Sequence, residues 1–198
     1  RGKLFANFLI DGKEKMSKSL GNGILLQDVL AKYDADVIRF ALLRNTYSTD
    51  IDITDNFFPD AVRHIYKMYS VIRDVNARTF EGTNSDKTAE MVAKIVAEFE
   101  TSMDDNFNTS GVMASLFSWF NFNTAELAKK TTEYDLNAIV AKIIELMSVL
   151  NILQANPSQY IATAQNKILA TNGVSEAEIE SAISAAASYF PSDIRVFI

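Results

Sequence analysis

The stretch Leu136-Asn137-Ala138-Ile139-Val140-Ala141-Lys142-Ile143-Ile144-Glu145-Leu146-Met147-Ser148-Val149-Leu150 decides the fold. Leu136, Ile139, Ile143, Leu146, Leu150 and, further on, Leu153 recur at intervals of three and four, the spacing that lines apolar side chains along one side of an α-helix. Asp135 stands where its carboxylate can cap the first turn. Such a stripe must be buried against other elements, and the same rhythm recurs upstream. Val112, Leu116, Trp119 or Phe120, and Leu127 face a core from a helix capped by Asn108 or Thr109. Met91, Ile95, Phe99 and Met103 do so from the helix before it, which follows a break at 82–85. Phe58, Val62, Ile65, Tyr69 and Ile72 do so from a first helix, whose Arg63, Lys67, Asp74 and Arg78 fall outside the stripe. Downstream, Asn156-Pro157 reads as a helix start and Asn172-Gly173 as a stop. Ser175 and Glu178 form a capping box for a last helix bearing Ile179 and Ile183.

Ahead of the helices, Lys3-Leu4-Phe5-Ala6-Asn7-Phe8-Leu9-Ile10 makes a strand, and Asp11-Gly12 is a tight-turn signal that folds the chain back on itself. Short helices follow near 26–33 and 35–45, the second with Asp34 as its N-cap. The predicted fold is therefore mainly α. A short β-hairpin bears a lysine-rich loop, a helical connector follows, and the rest is an antiparallel bundle of four or five helices. The expected division is 1–56 for loop and connector, 57–155 for the bundle and 156–198 for a C-terminal helical extension.

Composition narrows the function classes. With 198 residues and 48% apolar content the chain can bury a core. No run of about 18 apolar residues and no basic-plus-apolar start argue for a membrane span or a secretory signal, so a cytoplasmic protein is expected. There is no cysteine and one histidine, His64, so no metal site is expected within the chain. His64 is expected on the rim of its helix rather than in catalysis, and Trp119 and the methionines as core filler. The net charge is −6, but residues 1–80 carry 12 Lys/Arg against 10 Asp/Glu, whereas residues 81–198 carry 7 against 15. Contacts to phosphate are expected in the first part.

The hairpin runs into Lys15-Met16-Ser17-Lys18-Ser19-Leu20-Gly21-Asn22-Gly23. That string resembles the signature loop with which class I aminoacyl-tRNA synthetases hold ATP. The surrounding order extends the resemblance through Asp34-Ala35-Asp36-Val37-Ile38-Arg39-Phe40-Ala41-Leu42-Leu43 and Tyr47-Ser48-Thr49-Asp50-Ile51-Asp52. Met103-Asp104-Asp105-Asn106-Phe107-Asn108-Thr109 then is similar to a Met-Asp-Asp-Asp-Phe-Asn-Thr string of the cysteinyl-tRNA synthetases. The resemblance covers about residues 1–155. It implies that Lys18 contacts ATP and shares catalytic duty with Lys15, that Met16, Ser17 and Ser19 complete the ATP loop, and that magnesium accompanies the nucleotide. Such residue types suit the chemistry, because expelling pyrophosphate from ATP builds negative charge that ammonium groups and hydroxyls can meet. Gly21 and Gly23 let such a loop open and close.

By the same resemblance, residues 24–56 are the stem-contact connector and the bundle lies on the anticodon side of a tRNA. Arg63, Lys67 and Arg78 are candidates for contact with its phosphates. The family's His-Ile-Gly-His-type motif and its zinc site have no counterpart here, so the resemblance implies a C-terminal portion, inactive alone, with zinc and the cysteine pocket in the other half. The end, Tyr189-Phe190-Pro191-Ser192-Asp193-Ile194-Arg195, departs from the family's basic pattern, and no tRNA role is carried onto it. A monomer is expected, with tRNA, ATP and cysteine as partners. One rival is a ligase that joins cysteine to an amino sugar in small-molecule thiol synthesis. The other is a helical interaction module that associates through the stripe on 136–153.

Overall fold

The computed structural model describes residues 8–171 other than Asp11, Lys13, Lys18, Leu20 and Asn22. The expected strand over 3–7, the stop at Asn172-Gly173 and the last helix with Ser175, Glu178, Ile179 and Ile183 lie outside the described residues. The chain divides into two compact units, Arg1–Pro157 and Ser158–Ile198.

Three short strands come first. β1 (Phe8–Ile10) lies between β2 (Glu14–Lys15) and β3 (Ile51–Ile53). β2 runs antiparallel to β1, with Leu9 opposite Lys15 and Ile10 opposite Glu14. β3 runs parallel to β1, pairing Phe8 with Ile51, Leu9 with Asp52 and Ile10 with Ile53. The β element is thus not the isolated hairpin that the sequence predicts. Its longer ladder is the parallel β1–β3 pair, reached by a helical crossover as parallel strands require. Three residues alternating Ile-Asp-Ile are too few to announce a strand.

The crossover is α1 (Leu26–Lys32) and α2 (Ala35–Leu43). Asp34 occupies the N-cap position of α2 with extended backbone, but its side chain makes no capping hydrogen bond. Then come α3 (Phe57–Asn76), α4 (Ser85–Asp104), α5 (Thr109–Leu127) and α6 (Leu136–Ser148). The N-termini of α4, α5 and α6 are capped by side chains: Asn84 accepts from the N–H groups of Asp86 and Lys87, Asn108 from Gly111, and Asp135 from Asn137 and Ala138, whereas Asn56 at the start of α3 makes no capping bond. α4 packs on α5 and α6, and α3 packs on α2, α5 and α6. One end of this group gathers the C-termini of α3 and α5 with the N-termini of α4 and α6. There the Asp135 N–H donates to Thr88 Oγ1 at 3.0 Å, Asn137 Nδ2 to the Arg78 carbonyl at 3.2 Å and Arg78 Nη1 to the Leu127 carbonyl at 2.7 Å.

The core includes Phe40, Ile65, Tyr69, Ile72, Ile95, Leu116, Ile139, Ile143 and Met147. Two expectations shift in phase. The buried stripe of α3 starts at Phe57 and Ala61, while Phe58 and Val62 are half-buried, Phe58 stacking on Tyr33 at 5.0 Å. α6 stops at Ser148, short of Leu150 and Leu153. Asn151 takes φ +52°, a left-handed turn that asparagine tolerates. The chain then doubles back, burying Ile152 and Leu153, and Gln154 Nε2 donates to the carbonyls of Ile144 and Ile152 at 3.1 and 2.8 Å. Leu153 is in the core through this reversal, not through helical rhythm. α7 (Pro157–Thr171) begins after it.

Candidate functional site

The loop grows out of the sheet. Gly12 sits at φ +66°, and its N–H donates to Asp52 Oδ1 at 2.6 Å. A β-carbon at Gly12 would lie 3.4 Å from Asp52 Oδ2, at the edge of ordinary van der Waals contact, so it is the left-handed backbone rather than crowding that calls for glycine. Asp52 was not singled out from sequence. Its only signal is a position between two isoleucines, which turns it away from the face they share.

On the other side of the turn, the Met16 N–H donates to the Phe8 carbonyl at 2.8 Å, continuing the β1–β2 ladder by one residue. Lys15 is therefore held by the sheet at its backbone and exposed at its side chain, while Met16 and Ser17 are half-buried. Ser17 Oγ and Ser19 Oγ share a hydrogen bond of 2.8 Å, drawing two hydroxyls together at the surface. Gly21 takes φ +67° with open space around it. Lys18 lies outside the described residues. The described part of the string thus offers an ammonium, paired hydroxyls and a flexible glycine, a donor set that suits phosphate oxygens. Among the described residues, no group of three or more His, Asp or Glu side chains is placed to hold a metal ion.

The three basic residues of the first bundle helix and its exit are not one cluster. Arg63 and Lys67 are exposed one turn apart on α3. Arg63 is paired with Asp60, and Lys67 Nζ donates to Asn121 Oδ1 at 3.4 Å. Arg78 lies about three turns further on, where its guanidinium caps the end of α5. The structure therefore brings Arg63 and Lys67 together and gives Arg78 a structural bond at the far end.

His64 is half-buried, edge-on to Phe117 at 4.6 Å between ring centroids and tilted against Phe40 at 6.0 Å. Burial lowers its pKa from the ordinary 6.5, and the charges of Arg44, Arg63 and Lys67 push the same way against the opposing carboxylate of Asp60. Its place in an aromatic group was not legible from sequence, because Phe40 and Phe117 arrive from other helices. Arg44 is fixed nearby, donating to the Phe57 carbonyl at 3.0 Å with its guanidinium 5.2 Å from the Phe57 ring centroid.

Comparison with known proteins supports the resemblance to the class I tRNA synthetases. Residues 3–63 match the family model described as the tRNA synthetases class I (C) catalytic domain. A cysteine–tRNA ligase of Geobacter sp. (strain M21) is 31% identical over 186 residues, covering 91% of this chain and 38% of the relative. One from Hahella chejuensis is 32% identical over 171 residues, 86% of this chain and 35% of its own length. One from Ralstonia pickettii is 31% identical over 188 residues, 92% of this chain and 37% of its own length. By sequence, then, the chain is similar to the cysteine–tRNA ligases along most of its own length while spanning less than two-fifths of theirs.

Proposed function

We propose that the chain is the C-terminal part of a cysteine–tRNA ligase, supplying the ATP loop and a tRNA-facing helical surface to an enzyme that activates cysteine with ATP and transfers it to its tRNA. What supports this most is the Lys15-Met16-Ser17-Lys18-Ser19 string. It begins at Lys15, the last residue of β2, and continues beyond that strand inside the stretch, 3–63, that matches a synthetase catalytic domain. In activation a carboxylate oxygen attacks the α-phosphorus of ATP and pyrophosphate leaves. Lys18 and Lys15 oppose the charge gathering on the phosphate oxygens and Ser17 and Ser19 orient them, while Met16 completes the loop and ties it to β1 through its N–H bond to the Phe8 carbonyl. Magnesium would arrive with the nucleotide. Zinc, in this reading, belongs to the part of the enzyme that this chain does not cover, since the chain has no cysteine and a single histidine. Arg63 and Lys67 form the phosphate-facing pair for tRNA, with Arg78 as a separate and weaker contact.

In the whole enzyme, Lys18→Ala should lower cysteine-dependent ATP–pyrophosphate exchange by about 10²-fold or more, roughly 3 kcal/mol of transition-state stabilisation, with ATP affinity less affected. An unchanged exchange rate would overturn the assignment of the loop. The chain alone should show no exchange.

A further inference from the structure

Between α3 and α5 lies a pocket of about 270 Å³ lined by His64, Lys67, Met68, Phe117, Phe120 and Asn121. Ligand clefts run from about 300 Å³ upward, so this one suits a single planar ring and little more. Its aromatic wall is held in place: Phe117 meets Phe40 edge-on at 5.6 Å, Phe40 is fully buried, and His64 leans on both rings. The rim is polar. Lys67 and Asn121 are exposed, and the long Lys67–Asn121 bond of 3.4 Å leaves ammonium protons and the Asn121 amide N–H₂ facing outward. Arg63 stands one residue before His64 on the same helix. With its pKa lowered by burial and by Arg44, His64 is neutral at pH 7 and presents an uncharged ring.

An angled aromatic wall, His64 and Phe117 set at 68° to one another, with an amide on the rim and a cation beside it suits a planar heterocycle with hydrogen-bonding edges and an attached phosphate. We infer that this pocket receives one unpaired base of an RNA strand, its face on one of the two rings and its margin against the other, edge on the Asn121 amide and phosphate at Lys67. RNA as the source of that base rests on the tRNA-ligase reading, whereas the nucleotide chemistry rests on the pocket itself. Unpaired bases stacked on aromatic side chains and read along their edges are the ordinary mode of sequence-dependent RNA recognition.

His64 is the single histidine of the chain, so its imidazole proton resonances report on the pocket without interference. These are followed while the chain is titrated with the four nucleoside 5′-monophosphates, with inorganic phosphate, and with cysteine tRNA whose binding is measured in parallel across a salt series. Lys67→Ala and Asn121→Ala, both exposed substitutions, are run alongside with circular dichroism to verify the fold. The expected result is a saturable ring-current shift with nucleotides and with tRNA, absent with phosphate. Apparent affinity should fall about two- to tenfold in either variant, the range of one hydrogen bond. An equal shift with inorganic phosphate would reduce the pocket to an anion site and overturn the proposal. Salt-dependent tRNA binding that leaves the resonance unmoved would overturn the pocket and leave the tRNA reading standing. A nucleotide shift with no tRNA binding would overturn RNA as the source and count against that reading.

Discussion

Asp36, half-buried, and Tyr69, buried, show how much one pair can hold. Asp36 Oδ2 accepts from the Tyr69 hydroxyl at 2.6 Å and from the Leu153 N–H at 2.9 Å, and the Tyr69 oxygen accepts from the Ala155 N–H at 3.1 Å. Three distant chain segments meet there with their polar groups satisfied. Tyr69→Phe keeps the ring and strips the hydroxyl, so one carboxylate bond is lost and the Ala155 N–H loses its acceptor. The expected loss is about 1–3 kcal/mol of unfolding free energy, read from the urea midpoint. Sequence shows Tyr69 as core and Asp36 as an acid in a helix's first turn. The bond between them is invisible to periodicity because it joins residues 33 apart, and the Leu153 bond residues 117 apart. His64 carries a second residue-scale prediction. Its folded pKa is held below the unfolded 6.5, so the unfolded chain takes up the proton first as pH falls. Stability is full above about 6.5 and declines below it until the folded state is protonated too. Denaturation midpoints at pH 7.5 and 5.5 should separate in the native protein and draw together in His64→Gln.

Among the elements, the α4–α5 corner reverses the chain through residues 105–108. Asn106 and Phe107 both take positive φ, 52° and 54°, while the N–H groups of Phe107 and Asn108 return to the carbonyls of Met103 and Ser102 at 3.0 Å each. A left-handed phenylalanine is disfavoured, and here it leaves Phe107 68% exposed. Gly111 closes the corner, since a β-carbon there would stand 3.1 Å from both Asn108 Nδ2 and Ser102 Oγ. In Gly111→Ala the Asn108 and Ser102 side chains must each give by a few tenths of an ångström, which weakens the Asn108 cap and offsets the helix-propensity gain, so the expected net loss is about 1 kcal/mol or less, read as a lowered midpoint with unchanged slope. The Asn108 and Asp135 caps were readable because a capping side chain acts within three residues of itself. Only the start of the α3 stripe was misphased, Phe58 and Val62 standing for Phe57 and Ala61, because adjacent apolar positions admit two faces, while Ile65, Tyr69 and Ile72 are buried as expected. The end of α6 was missed because Leu153 keeps the helical spacing while reaching the core by another route.

At the scale of the molecule, no helix among the described residues is long and apolar enough to cross a membrane. Charge is divided along the chain, with 12 Lys/Arg against 10 Asp/Glu in residues 1–80 and 7 against 15 beyond. The lysine string could be proposed from sequence because its residues are consecutive. The pocket of His64, Phe117 and Asn121 was not, since its walls belong to helices that only the folded core sets side by side. The same contrast bears on the parallel strand. β3 holds the Gly12 turn through Asp52, and three residues later the chain enters α3, with the Phe57 N–H donating back to the Thr54 carbonyl at 3.0 Å. Loop and bundle are therefore linked like two arms of a lever through a three-residue strand, and a tilt of α3 reaches the Gly12 turn only by way of residues 54–56 and the β1–β3 ladder.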